Sequence, residues 1–295
     1  MSETKDEPWT VLRLLEWTTN FFKKRDSDSP RLDAEILLAH ARECPRIALY
    51  TSFADIPEEE QLVAFREMVR RRGEGTPVAQ LVGYREFYSM RFRVDENVLI
   101  PRPETEHVVI EAIDVAKEMN VTDRPLRIAD VGTGSGAIAV TLAKHIAGAE
   151  LTAVDISADA LTIARWNADQ HKVTESIQFL ESDLLTSVDA DVKFDIICSN
   201  PPYVSEAEYD ELPASVRNYE PRNALVSGFQ GTETIERLLQ IAPERLVAGG
   251  RIVIELSPMI AERCLEIAEE IDELVDAKLI KDLNGLQRVL SVGRT

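Results

Sequence analysis

The sequence predicts an α/β protein whose main body is a doubly wound, mostly parallel seven-stranded sheet, preceded by a small all-α N-terminal domain and a β-hairpin linker. Three observations carry this. From Leu126 onward, short apolar runs alternate with helical stretches, as in a parallel sheet covered on both faces. The first run ends in a glycine-rich turn, Asp130-Val131-Gly132-Thr133-Gly134-Ser135-Gly136. A later run, Phe194-Asp195-Ile196-Ile197-Cys198-Ser199, is stopped by two adjacent prolines that cannot donate to a β-ladder.

Taken in order, residues 8–72 read as helices. Trp9, Leu12, Leu15, Phe21 and Phe22 lie near helical spacing. Pro30 opens a second helix over 31–42, in which Leu32, Ile36, Leu37 and His40 recur. A third begins near Pro57, with Glu58, Glu59 and Glu60 at its start and Arg70, Arg71, Arg72 and Gly73 at its end, charges that complement the helix dipole. The arginine run reads first as dipole complement and second as a docking surface. No catalytic constellation falls here, and the helical domain is placed at 1–76.

Gly73-Glu74-Gly75-Thr76-Pro77 then breaks the pattern. Over 78–99, Tyr84, Phe87, Tyr88, Met90, Phe92 and Val94 alternate with polar residues, which predicts a β-hairpin or extended linker, bounded at 77–100. The rigid stretch Leu99-Ile100-Pro101-Arg102-Pro103-Glu104-Thr105-Glu106 leads into a helix over about 104–119. Glu104 and Thr105 suit a helix cap or a site equally.

The remainder, 101–295, forms the sheet domain. Strands are expected at 126–131, 150–155, 177–181, 194–199 and 251–256, and helices near 135–147, 158–170, 232–247 and 258–272. A terminal pair at 275–281 and 287–292 flanks Leu283-Asn284-Gly285, a hairpin signal.

Composition narrows the function. No run of about 18 apolar residues exists, so no membrane span is expected. Met1–Glu7 is acidic without a secretory pattern, and three widely spaced cysteines suit reduced thiols in a cytoplasmic protein. Neither these nor the four histidines form a metal-binding pattern. A net charge of −19 repels the phosphate backbone and favours a protein or small-molecule substrate over a duplex.

The chemistry concentrates at Asn200-Pro201-Pro202-Tyr203. The prolines hold Asn200 extended at the carboxyl end of a strand, where open α/β sheets bind ligands. The Asn200 side-chain carbonyl and the Pro201 backbone carbonyl make two acceptors suited to a planar NH₂ group, with Tyr203 to flank it. A proline-rich turn would use the same residues.

The glycine turn lets the backbone approach a ligand at a helix N-terminus, and its G-x-G-x-G spacing differs from that of dinucleotide binders. Asp155 ends the next strand and can accept ribose hydroxyls. After the third strand, Asp183 can accept from an adenine amino group and Leu184 can pack on the ring. Four consecutive strand ends carrying ligand-suited residues favour a nucleoside-containing cofactor over helix caps.

The glycine turn, Asp155, Asp183 and Asn-Pro-Pro-Tyr, in that order, resemble a class I S-adenosylmethionine-dependent methyltransferase, of the subset that methylates planar nitrogens. Three stretches are similar to the release factor glutamine methyltransferase family in particular. They are Tyr84-Arg85-Glu86-Phe87-Tyr88 with Leu99–Glu106, then Asp130–Ala139, then Tyr219-Glu220-Pro221-Arg222-Asn223-Ala224-Leu225. Leu32–Leu38 fits too, and the similarity spans roughly residues 30–293. One departure is Leu256-Ser257-Pro258-Met259 after Glu255, where the family pattern has Gly or His and then Gln.

The resemblance implies a Rossmann-like fold, S-adenosylmethionine as cofactor with S-adenosylhomocysteine as product, and no metal. It implies cofactor contacts from Gly132, Thr133, Gly134, Ser135, Gly136, Asp155, Asp183, Leu184 and Asn200. Catalysis falls to Asn200, Pro201 and Tyr203, and substrate binding to these with Pro202. Arg102, Glu104 and Thr105 are further candidates. The implied substrate is the glutamine of the Gly-Gly-Gln motif in class 1 peptide chain release factors, methylated by a monomer without direct nucleic-acid or membrane contact. A nucleic-acid exocyclic-amine methyltransferase is the competing enzyme, and a non-catalytic nucleoside-binding module is the competing class.

Overall fold

The computed structural model describes residues 8–25 and 27–295, so the acidic opening at 1–7 lies outside the described residues. The chain divides into two compact units that meet between Gly83 and Tyr84.

The first unit is helical. α1 (Val11–Phe22) is capped by the Thr10 hydroxyl, which accepts from the Arg13 amide at 3.3 Å, and it buries Val11, Leu14, Leu15 and Phe22. α2 (Pro30–Ala41) carries proline at its first turn, where a missing N–H costs nothing. α3 (Arg46–Thr51) was too short to show a period, and it is fastened through a buried acid on α2. Glu35 accepts from Arg31 at 2.7 Å, Arg46 at 3.1 Å and the Tyr50 hydroxyl at 2.6 Å.

α4 (Glu59–Gly73) starts with a capping box between Glu58 and Gln61 and ends in the arginine run. Two of those arginines have partners within the unit: Arg70 pairs with Glu67 and Glu74, and Arg72 pairs with Asp33 at 2.9 Å. α5 (Val78–Val82) corrects the expectation of hairpin or extended chain throughout 78–99. Pro77 precedes it, Ala79 and Val82 bury on one face, and Gly83 ends it in the left-handed conformation at φ +78°.

The second unit opens with the expected hairpin, β1 (Tyr84–Phe87) against β2 (Met90–Arg93), turned by Tyr88 and Ser89 at positive φ. Phe87 and Phe92 pack edge to face beneath it. A single 3-10 turn, Pro103–Thr105, leads into α6 (Glu106–Met119). Strands and helices then alternate: β3 (Arg127–Val131), α7 (Ala137–His145), β4 (Glu150–Asp155), α8 (Ala158–Gln170), β5 (Ile177–Glu181) and β6 (Phe194–Ser199). Between 204 and 228 lie β7 (Val204–Ser205), α9 (Glu206–Tyr209), α10 (Ala214–Arg217) and β8 (Val226–Gly228), where β7 and β8 pair in parallel. α11 (Glu233–Arg245), β9 (Leu246–Glu255), α12 (Ala261–Glu269), β10 (Leu274–Lys281) and β11 (Gln287–Arg294) complete the chain. β9 starts five residues earlier than the expected 251, because Gly249 and Gly250 interrupt its pairing with β6 rather than its extended course.

Seven strands form one sheet in the order β10-β11-β9-β6-β3-β4-β5. β11 runs antiparallel to both neighbours, and the other pairs are parallel. Alternate residues of β6 feed opposite cores: Ile196 and Cys198 pack with α6 and α7, and Ile197 packs with α11 and α12. The order reverses direction between β3 and β6, which opens a crevice at their carboxyl ends.

Candidate functional site

At the end of β3, Asp130 is fully buried. Its Oδ2 accepts from the Thr133 hydroxyl at 2.6 Å and from the Ala139 amide at 3.0 Å, which ties the strand to the first turn of α7. Burial pushes this carboxyl up to about 7. The turn itself is fixed by the amides of Gly132 and Thr133, both donating to the Val154 carbonyl at 2.9 Å. Gly136 is required for packing, since a Cβ there would stand 3.2 Å from Ala164 of α8.

Asp155, at the end of β4, accepts from the Gly134 amide at 2.8 Å and the Ser157 amide at 2.9 Å. Burial raises its pKa, and those N–H groups offset part of the rise. Asp183 is paired with Arg237 of α11 at 2.7 Å, a cation partner that no local pattern revealed. Leu184 adopts φ +52°, a left-handed conformation uncommon for leucine.

At the end of β6, Asn200 Nδ2 donates to the Thr105 hydroxyl at 3.0 Å. The Tyr203 hydroxyl donates to Oε1 of Glu255, the last residue of β9, at 3.2 Å. Glu255 is 1% exposed, and burial pushes its carboxyl up to about 7 against the opposing pull of Thr105 and Tyr203. Burial likewise raises the Tyr203 phenol. Arg102 reaches buried Glu220 at 2.5 Å, and the other oxygen of Glu220 takes the Ile100 amide at 3.1 Å. That pair fastens the 99–103 turn to the segment before β8.

These strand ends surround a cavity of about 550 Å³, within the ~300–1,000 Å³ usual for small-molecule sites. Its wall brings together Thr105, Gly132, Thr133, Gly134, Ser135, Asp155, Asp183, Leu184, Asn200, Pro201 and Pro202. Gly136, Tyr203, Arg102 and Glu104 are not part of the lining. Sequence reasoning missed Arg222 and Arg237 in the wall, and Glu220 and Glu255 behind it. Glu255 carried one legible signal, a charge at the end of an apolar run in β9, whereas Glu220 lies in a mostly solvent-accessible stretch. Among the described residues no cluster of three or more His, Cys, Asp or Glu could hold a metal, and no helix is long and apolar enough to cross a membrane.

The hMettl16 catalytic domain, solved in complex with an RNA hairpin, shares this fold, with a TM-score of 0.57 and 15% identity over 78% of this chain and 82% of that one. The switch-point crevice, its glycine turn and Asn-Pro-Pro-Tyr on the facing strand define a class I, Rossmann-like S-adenosylmethionine-dependent methyltransferase. The family profile described as PrmC N-terminal domain matches residues 13–83, and the Methyltransferase small domain profile matches 112–215. The release factor glutamine methyltransferase of Rhodopirellula baltica is 61% identical over 99% of both chains. That of Chlorobaculum tepidum is 43% identical, covering 97% of this chain and 98% of its own. The chain belongs to the release factor glutamine methyltransferase family.

The residues present fit S-adenosylmethionine. Gly132 and Gly134 line the cavity without side chains, and a Cβ on Gly134 would meet nothing within 4 Å, leaving open space beside the backbone. Val131, Ile138, Ile156 and Leu184 add an apolar surface for a flat ring, and Asp155 and Asp183 add acceptors.

Proposed function

We propose that this enzyme methylates the side-chain amide nitrogen of the glutamine in the Gly-Gly-Gln motif of class 1 peptide chain release factors. The observation that carries the reading is the placement of Asn200, Pro201 and Pro202 in the same cavity wall as the glycine turn and Asp155. The family relationship supports the choice of substrate.

In this reading Gly132, Thr133, Gly134, Ser135, Asp155, Asp183 and Leu184 hold the cofactor, and Gly136 acts by packing the turn. When bound, S-adenosylmethionine supplies an electrophilic sulfonium methyl. Asn200 Oδ1 and the Pro201 carbonyl accept the two amide hydrogens of the glutamine and so orient its nitrogen. Orientation of this kind supplies up to ~7–11 kcal/mol. The same acceptors stabilise positive charge as it develops on nitrogen. Tyr203 packs on the core formed with α11 and α12, its hydroxyl anchored on Glu255. No histidine lines the cavity among the described residues, and in this reading the amide proton leaves to water.

In this reading the helical unit, which runs to Gly83 rather than the expected 76, and the hairpin at 84–93 recognise the release factor, while the sheet that follows carries out transfer. Incubation with a purified release factor and labelled cofactor, followed by mass spectrometry of the Gly-Gly-Gln peptide, tests the assignment. One added methyl on the glutamine is expected. Label transfer to ribosomal RNA or duplex DNA instead would select the nucleic-acid reading, and cofactor binding without any transfer would select a binding module.

A further inference from the structure

Asn200 is hydrogen-bonded to Thr105, and behind Thr105 stands a buried carboxylate. Its Nδ2 donates to Thr105 Oγ1 at 3.0 Å, so the threonine oxygen is an acceptor there. A hydroxyl has one hydrogen of its own to place elsewhere. Thr105 is 4% exposed and stands in the cavity wall. The nearby carboxylate is that of Glu255, with which Thr105 forms no hydrogen bond in this structure. Oε1 of that group holds the Tyr203 hydroxyl, and Oε2 is buried without a partner. A buried orphan oxygen is costly, and the Thr105 hydrogen is suited to relieve it.

We propose that Glu255 and Thr105 are positioning residues that fix the polarity of the hydrogen bond between Asn200 and Thr105, holding the Asn200 amide with its nitrogen inward and Oδ1 toward the cavity. The inference rests on the reading of Asn200 as acceptor of the glutamine amide hydrogen. The two ends of an asparagine amide are nearly isosteric, so packing alone discriminates poorly between its two orientations. A flipped Asn200 would oppose its own N–H to that of the substrate. An ionised carboxylate can only accept, so it forces Thr105 to donate toward it and to accept from Asn200. Tyr203, Glu104 and Arg288 are the other titratable or charged groups facing Glu255. Tyr203 and Arg288 favour its ionised form, and Glu104 opposes it.

The test uses the full-length enzyme, a purified class 1 release factor and S-adenosylmethionine, with cofactor affinity measured by calorimetry. Thr105→Val should lower kcat about tenfold, with cofactor affinity and the KM for release factor within about twofold of wild type. Thr105→Ser should recover most of the loss. The double variant Asn200→Ala with Thr105→Val should be no slower than Asn200→Ala alone, because Thr105 acts through Asn200. Wild type should lose activity as pH falls below about 7, and Glu255→Gln should lower kcat and abolish that fall.

Wild-type kcat in Thr105→Val, or losses that multiply in the double variant, overturns the positioning role while leaving Asn200 in place. Normal turnover in Asn200→Ala overturns the underlying reading and the inference with it. If Thr105→Val fails to fold, the pH profile of Glu255→Gln decides: a retained acidic limb overturns the proposal.

Discussion

Gly134 and Gly231 share a left-handed backbone, at φ +54° and +84°, and differ in what an added methyl would meet. At Gly134 there is nothing within 4 Å, and the position lines the cavity. Gly134→Ala should therefore fold, at a backbone cost of about 1–2 kcal/mol, and lose cofactor affinity by about tenfold or more as the methyl occupies ligand space. At Gly231 a Cβ would lie 2.7 Å from the Tyr203 carbonyl and 3.4 Å from the Ser205 amide, both backbone atoms that cannot rotate aside. Gly231→Ala should cost about 1–3 kcal/mol more in urea unfolding than Gly134→Ala. Equal stability of the two variants, or unchanged affinity in Gly134→Ala, would refute this division. At this scale the sequence was legible where function and local chain coincide, as in the glycine turn and Asn-Pro-Pro-Tyr. It was opaque where partners lie far apart in the chain: Asn200 is 95 positions from Thr105, and Asp183 is 54 from Arg237.

Among elements, β6 has every residue buried and contains a charge in its second position. Asp195 accepts from Arg124 Nη2 at 2.6 Å, Arg124 Nη1 at 2.7 Å and the Arg127 amide at 2.8 Å. Burial raises the pKa of Asp195, but these donors outweigh it and the net shift is downward. The carboxylate thus fastens the start of β3 to β6, the two strands whose far ends carry the glycine turn and Asn200. Asp195→Ala strands the Arg127 amide, and a loss of about 1–3 kcal/mol in urea unfolding is expected. A loss no greater than that of an exposed alanine substitution would show that the pair is dispensable. The strands themselves were legible because each is a short apolar run closed by Gly, Pro or Asp. α3, α5, α9 and α10 were not, since helices of four to six residues show barely one period. The β7–β8 pairing joins segments about 20 residues apart, and nothing in either string announces it.

For the whole molecule, two sets of buried acids pull stability in opposite directions with pH. Asp130 and Glu255 are pushed up to about 7 by burial, from ordinary values of 3.8 and 4.5. Between those values and about 7 the unfolded chain has released these protons and the folded chain retains them, so stability falls as pH rises through that window. Asp195 is held below its ordinary 3.8 because Arg124 and Arg127 overcome the effect of burial, so its contribution is complete above that value and is lost as pH falls below it. Self-repulsion from a net charge of −19 steepens the neutral side and is relieved by salt. At fixed high salt, the urea midpoint should therefore be higher near about pH 6 than near about pH 8, and should drop again below about pH 4. Glu255→Gln should shrink the drop between about pH 6 and 8, because a neutral side chain has no proton to release there. Asp195→Asn should leave that limb intact and flatten the acid one. A wild-type midpoint that is level or rising from about pH 6 to 8 would mean that neither Asp130 nor Glu255 stays protonated in the folded protein.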